Sequence, residues 1–313
     1  MDVHFLMIIL YICVHWPSGI LTKLISMKKF YLVSTNHLKS GMLFGDEDDF
    51  RSGMNIVAIC AFLTDAKVLA FILMSSHVHF VLRCSQNEAK SFIDKYKTLY
   101  SKYYCRKYGT SEYLRLLGVD LQEVFVEDES LFRAIAYVVM NSVAANLVPA
   151  PVLYPWGTGN LLFSAVPPKG KPLGEMTRNA RQKLLKSRVD LPDEYCIGDE
   201  GFILPCCYVP VKYEESLFKT PKRYSYFLNT SSKAKMRLEK TEAPSFSDHL
   251  VKAGMTNLIQ SLFRKASIID LNDGQKAELM RQVQRRFSSD ESQLVRISGL
   301  PTDEISHLIN CFY

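Results

Sequence analysis

Apolar and polar positions fall into a readable order from Met27 onward. The segment KFYLVST (29–35) is rich in β-branched and aromatic residues and predicts a strand. GDEDDFRSGMNIVAICAFL (45–63) opens acidic and turns apolar, as the N-terminus of a helix does. KVLAFILM (67–74) and HVHFVLR (77–83) predict two strands, and the Ser75-Ser76 pair between them is too weak a turn signal to fix a turn type. NEAKSFIDKYKTLYSKYYCRKYG (87–109) predicts a long helix closed by Gly109. VDLQEVFVE (119–127) predicts a strand, and SLFRAIAYVVMNSVAANL (130–147) a helix with Ser130 as its N-cap.

The order β-α-β-β-α-β-α defines an α+β class, the split βαβ or ferredoxin-like arrangement with one added helix. It predicts an antiparallel sheet with its helices on one face. AVPPKGKP (165–172), rich in Pro and Lys, predicts a linker, so a first domain is expected over 27–165 and an accessory region over 166–313. In that region GFILPCCYVPVKYEE looks strand-like and KAKMRLEK looks like a basic helix. Three short helices are expected in GQKAELMRQVQRRF, DESQLVRIS and TDEISHLINCF. Gly299-Leu300-Pro301 between the last two gives the outline of a DNA-binding helix-turn-helix near 273–312; a plain helical cap reads the same way. The region is therefore mostly helical.

Composition adds limits. Of 313 residues, 48% are hydrophobic and 22% charged, which suits a globular chain with a sizeable core. The net charge of +6 leans towards acidic partners such as nucleic acid. The 8 cysteines are scattered without a CxxC pair, so a zinc ribbon has no support and a reducing cytosol is expected. FLMIILYICV near the start is too short to span a bilayer and lacks a basic flank, so no membrane role is expected. Residues 1–26 read as upstream sequence ahead of a start at Met27, with a short membrane-associated segment as the rival reading.

Chemistry concentrates in SSHVHF. On a strand His77 and His79 share one face, with Val78 on the other. Paired imidazoles suit a divalent transition metal, or Mg²⁺ alongside oxygen ligands. One HxH among 7 histidines is a weak signal alone, and two satisfied core histidines explain it better. In the 130–147 helix Tyr137 and Asn141 lie four apart on one face, with Arg133 a turn earlier and Leu131, Ile135, Val138 and Val139 on the packing side. Packed beside the histidine strand, that helix would bring phenol, amide and guanidinium to the imidazoles. An amphipathic helix with a boundary tyrosine is the plain alternative.

VLAFILMSSHVHFVL, then AYVVMNSVAANLV, then YPWGTG together resemble the IS200-type single-tyrosine (HUH) transposases, nearest the branch of REP-associated tyrosine transposases. GMLFGDEDDF resembles that family's stretch before its first helix, and the likeness covers about 27–165. The sequence departs at Ser76, where the family has Asn, and at Ser142, where it has Pro. The family's stretch before the fourth strand is not recognisable in TSEYLRLLGVDLQEVFV.

The resemblance implies cleavage and rejoining of single-stranded DNA, including hairpin-forming strands, through a 5′-phosphotyrosine. It places the nucleophile on Tyr137 and the metal ligands for Mg²⁺ or Mn²⁺ on His77, His79 and Asn141. It also implies a monomer or homodimer in a bacterial cytoplasm, associated with the nucleoid. Arg133 is a candidate phosphate contact. Lys95, Lys102 and Arg106, interleaved with tyrosines on the 87–109 helix, are candidate DNA contacts; a wet basic face explains them as well. Two rivals stand beside this reading. One is a catalytically silent, domesticated DNA-binding or regulatory protein of the same fold. The other is a rolling-circle or relaxase-type protein, in which the tyrosine often precedes the histidines.

Overall fold

A computed structural model describes residues 28–310 apart from 39–40, 111–112, 167–168 and 233–245. The leader (1–26) and KAKMRLEK (233–240) lie outside the described residues.

Strands β1 (Lys29–Thr35), β2 (Lys67–Met74), β3 (His77–Cys84) and β4 (Val119–Val124) form one antiparallel sheet in the order β2-β3-β1-β4. This is the expected ferredoxin-like sheet. Helices α1 (Glu47–Leu63) and α2 (Gln86–Tyr108) connect it. Asp46 caps α1 through the Asp49 amide. Ser85 and Glu88 form a capping box on α2, and Gly109 ends it in the left-handed conformation at φ 67°.

The added helix, α3 (Ser130–Val139), corrects the one-face expectation. Phe80 of β3 meets Phe92 and Tyr96 of α2, whereas its neighbour His79 meets Tyr137 of α3. Consecutive strand residues point to opposite faces, so α2 and α3 cover opposite faces of the sheet. The apolar runs of β2 and β3 are the physical reason, because a strand covered on both sides has no polar face to keep. Ser130 is the first helical residue rather than the cap. Glu129 occupies the cap position at φ 63°, and the Ser130 hydroxyl instead accepts from the Phe125 amide at 2.7 Å. The helix breaks at Met140, followed by the single turn Asn141–Ala144.

The motif YPWGTG runs along the outer edge of β2. The Tyr154 hydroxyl donates to Leu73 O (2.9 Å), Leu73 N donates to Trp156 O (2.9 Å), and Thr158 N donates to Phe71 O (3.0 Å). A β-carbon on Gly157 would lie 2.6 Å from Phe71 O and 3.2 Å from Ile72 Cα, both backbone atoms that cannot swing aside. Gly157→Ala is therefore expected to destabilise the protein by about 1–3 kcal/mol. A melting curve unchanged from wild type would show that this strap is not held against β2.

Beyond the sheet lie α4 (Arg178–Leu185), α5 (Val211–Phe218) and α6 (Pro221–Thr230). The strand expected in GFILPCCYVPVKYEE is instead a 3₁₀ turn (Pro205–Cys207) running into α5. Pro205 and Pro210 each lack the amide a central strand needs. Apolar side chains from Leu173 to Phe227 join the sheet's core, and Phe132 of α3 packs on Phe218 and Phe227. A second core lies among α7 (Asp248–Leu258), α8 (Asp273–Phe287), α9 (Glu291–Ser298) and α10 (Thr302–Asn310). The last three are the three helices expected from sequence. No helix of the described residues is long and apolar enough to cross a membrane.

Candidate functional site

The β2–β3 hairpin register pairs Met74 with His77 and Ile72 with His79, so both imidazoles sit on the α3 side of β3. Both are buried, and their ring centroids lie 4.8 Å apart, edge to face. Each ring is held at Nδ1 by a serine. Ser34, opposite His79 in the β1–β3 register, places its Oγ 2.7 Å from His79 Nδ1. Ser76 Oγ lies 3.1 Å from His77 Nδ1. Ser76, which replaces the asparagine of the resembling family, thus has a ring-orienting task of its own. A partner at Nδ1 fixes ring orientation and tautomer and assigns Nε2 to any ligand.

On α3, Leu131, Ile135 and Val138 are buried, and this apolar stripe seats the helix on the sheet. The seating brings the half-buried Tyr137 ring to 5.4 Å from His79, edge to face at 87°. Burial pushes the Tyr137 phenol above the ordinary tyrosine value, so it stays protonated at neutral pH. Asn141 is buried one turn on. Its Nδ2 donates to Tyr137 O (2.8 Å) and Val138 O (3.3 Å), which turns Oδ1, the ligand atom of an amide, away from those carbonyls.

A cavity of about 720 Å³ opens beside the phenol, lined by His79, Tyr137, Arg133 and Ser34 among others. Arg133 stands at its rim, 66% exposed, in an ion pair with Glu129 at 3.2 Å. Two lining residues escaped the sequence reading. His37, just past β1, stacks on His77 with centroids 3.7 Å apart and extends the ring series to His37–His77–His79–Tyr137. Asp120 of β4, opposite Ser34, adds a carboxylate to the wall. For Asp120 the signal was the strand pairing itself: β1 lies between β3 and β4, so the residue opposite Ser34 on β4 shares the histidine face, whereas His37 follows β1 outside any strand register.

Lys95, Lys102 and Arg106 do not join this site. They ride on α2, across the sheet from Tyr137, and Lys102 and Arg106 line a different cavity. Among the described residues no group of three His, Cys, Asp or Glu side chains is arranged to hold a metal ion. The expected set has only two such groups, its third member being the Asn141 amide. Its chemistry still fits a hard divalent ion, with two imidazoles partnered at Nδ1 and an amide whose nitrogen, not its oxygen, is committed to its own helix.

No family model matches the chain, and no curated protein matches it. One solved structure is similar at a distance: a REP-associated tyrosine transposase bound to a REP hairpin, at 10% identity and a TM-score of 0.35, over 43% of this chain and 78% of that one.

Proposed function

We propose that this protein cuts and rejoins single-stranded DNA through a covalent 5′-phosphotyrosine on Tyr137. The observation that carries the reading is the Tyr137 ring 5.4 Å from His79, on the sheet face that also bears His77. The Tyr137 Oη attacks a backbone phosphorus, a 3′-hydroxyl leaves, and a later 3′-hydroxyl reverses the exchange, so phosphodiester energy is conserved without ATP.

A protonated phenol is a poor nucleophile. His77 and His79 through Nε2, with Asn141 through Oδ1, would hold a Mg²⁺ or Mn²⁺ ion. Such an ion polarises a phosphate and offsets developing charge. Ser34 and Ser76 partner the imidazoles at Nδ1, and Arg133 at the cavity rim would meet a neighbouring phosphate.

The test is capture of covalent adducts from a randomised single-stranded DNA pool with Mg²⁺, Mn²⁺ or EDTA. Adducts are expected with either metal and not with EDTA. His79→Ala should lose adduct formation and bind Mn²⁺ at least about 10-fold more weakly by titration calorimetry. Adducts that form equally well in EDTA would remove the metal from the reading. No adduct under any condition would favour a silent DNA-binding protein.

A further inference from the structure

A second cavity, of about 740 Å³, lies across the sheet from Tyr137, walled by α1, α2 and the segment from α4 to Arg188. Five cations line it: Lys102 and Arg106 from α2, Lys183 from α4, and Lys186 and Arg188 just beyond. No carboxylate lines it, and none of the five forms an ion pair with a described residue. Elsewhere the surface pairs its cations freely, as at Arg51, Lys107 and Arg181. Like charges gathered around one concavity repel each other, and an anion seated among them relieves that repulsion.

The wall is also built. Lys186 ends α4 in the left-handed conformation at φ 49°, a place where glycine is usual and a β-carbon is disfavoured. Its ammonium donates to Ser52 Oγ at 3.0 Å and stands 4.5 Å over the Tyr103 ring. The Arg106 guanidinium is anchored through Nε to Lys102 O at 3.2 Å. The floor between these groups is apolar and includes Ile59 and Leu99.

We propose that this cavity binds a compact polyphosphate ligand, a nucleoside di- or triphosphate. Its phosphates would sit among the five cations and its nucleoside over the apolar floor. The size falls in the range of small-molecule sites. The cations come from two chain segments, α2 and the stretch Lys183–Arg188, and surround a bounded concavity instead of forming the stripe an extended strand would need. With no carboxylate present, side chains alone neutralise the phosphates, so binding needs no divalent metal. The site stands on the face away from Tyr137 and is independent of the DNA chemistry proposed there.

The test is calorimetry on the full chain with ATP, GTP, AMP, inorganic triphosphate and a single-stranded oligonucleotide series, all in EDTA. Saturable binding of ATP or GTP is expected, weaker for AMP, weakened by salt and accompanied by a higher melting temperature. Lys183→Glu and Arg188→Glu should each weaken it by about 10-fold or more. Lys183→Gln serves if the reversals fail to fold. Three results would overturn the proposal: no nucleotide binding at about 1 mM, a concentration that would reveal even a weak site; nucleotide binding unchanged in these variants; or oligonucleotide binding that rises with length while nucleotides fail to compete. Loss of DNA adducts in the Tyr137 assay would leave this result untouched.

Discussion

Tyr137→Phe is expected to abolish the covalent DNA adduct and to lower strand cleavage by at least about 10³-fold, while oligonucleotide binding changes little. The substitution removes one oxygen and leaves the ring, so the edge-to-face packing on His79 persists and the fold is not disturbed. The residual cleavage separates chemistry from positioning. A phenol raised by burial should also give adduct formation in wild type a rate that climbs with pH through the neutral range, since each step up frees more phenolate. Denaturing gels of labelled oligonucleotide read both effects. An adduct of undiminished yield from the Tyr137→Phe protein would assign the nucleophile to another residue, and a pH-independent wild-type rate would place the limiting step elsewhere.

Asp248→Ala is expected to cost about 3 kcal/mol of stability. The Asp248 carboxylate is buried at the start of α7. It accepts from the Ser75 hydroxyl, from Gln293 Nε2 (2.9 Å), and from Arg296 Nε (2.9 Å) and Nη2 (3.3 Å). Burial alone would raise its carboxyl, but the Arg296 guanidinium and the other donors hold it below the usual carboxylate value. Arg296 keeps 27% of its side chain in water, so the loss lies at the low end for a broken buried pair. A carboxyl depressed in the folded state stabilises above the ordinary carboxylate value, about 3.9, and that contribution fades as pH falls through the folded value. Urea melts should therefore show a deficit for Asp248→Ala at pH 7 that shrinks towards pH 3. A constant deficit across that range would assign the loss to packing.

The effect reaches the site. Ser75 sits in the β2–β3 turn, followed at once by Ser76, which orients His77. Releasing Asp248 frees that turn from the helices behind it.

How much of this was legible follows element by element. The strands at 29–35 and 67–74 and the long helix at 86–108 were readable because periodicity, caps and a closing glycine agree there. The position of α3 was misjudged from topology alone, although the unbroken apolar runs of β2 and β3 already called for cover on both faces. Periodicity put His77 and His79 on one strand face and Tyr137 and Asn141 on one helix face, but only the resemblance to single-tyrosine transposases singled them out as a set. Asp120 did not stand out, since only the register of β1 with β4 brings it there, and His37 did not, since it lies past the end of β1 and reaches the site through its ring contact with His77. The segment 201–215 misled because its apolar residues suit a strand while its prolines forbid one. Lys102 and Arg106 were noticed for charge, but their partners Lys183, Lys186 and Arg188 lie some 80 positions away, where no local pattern links them.

The Tyr154–Thr158 strap has one further consequence, for self-association. The outward amides and carbonyls of Phe71 and Leu73 are already taken by Tyr154, Trp156 and Thr158, so this stretch of β2 cannot accept a strand from a second molecule. Among the described residues, β4 is the opposite border, and a dimer that continues the sheet along a whole strand must grow from it.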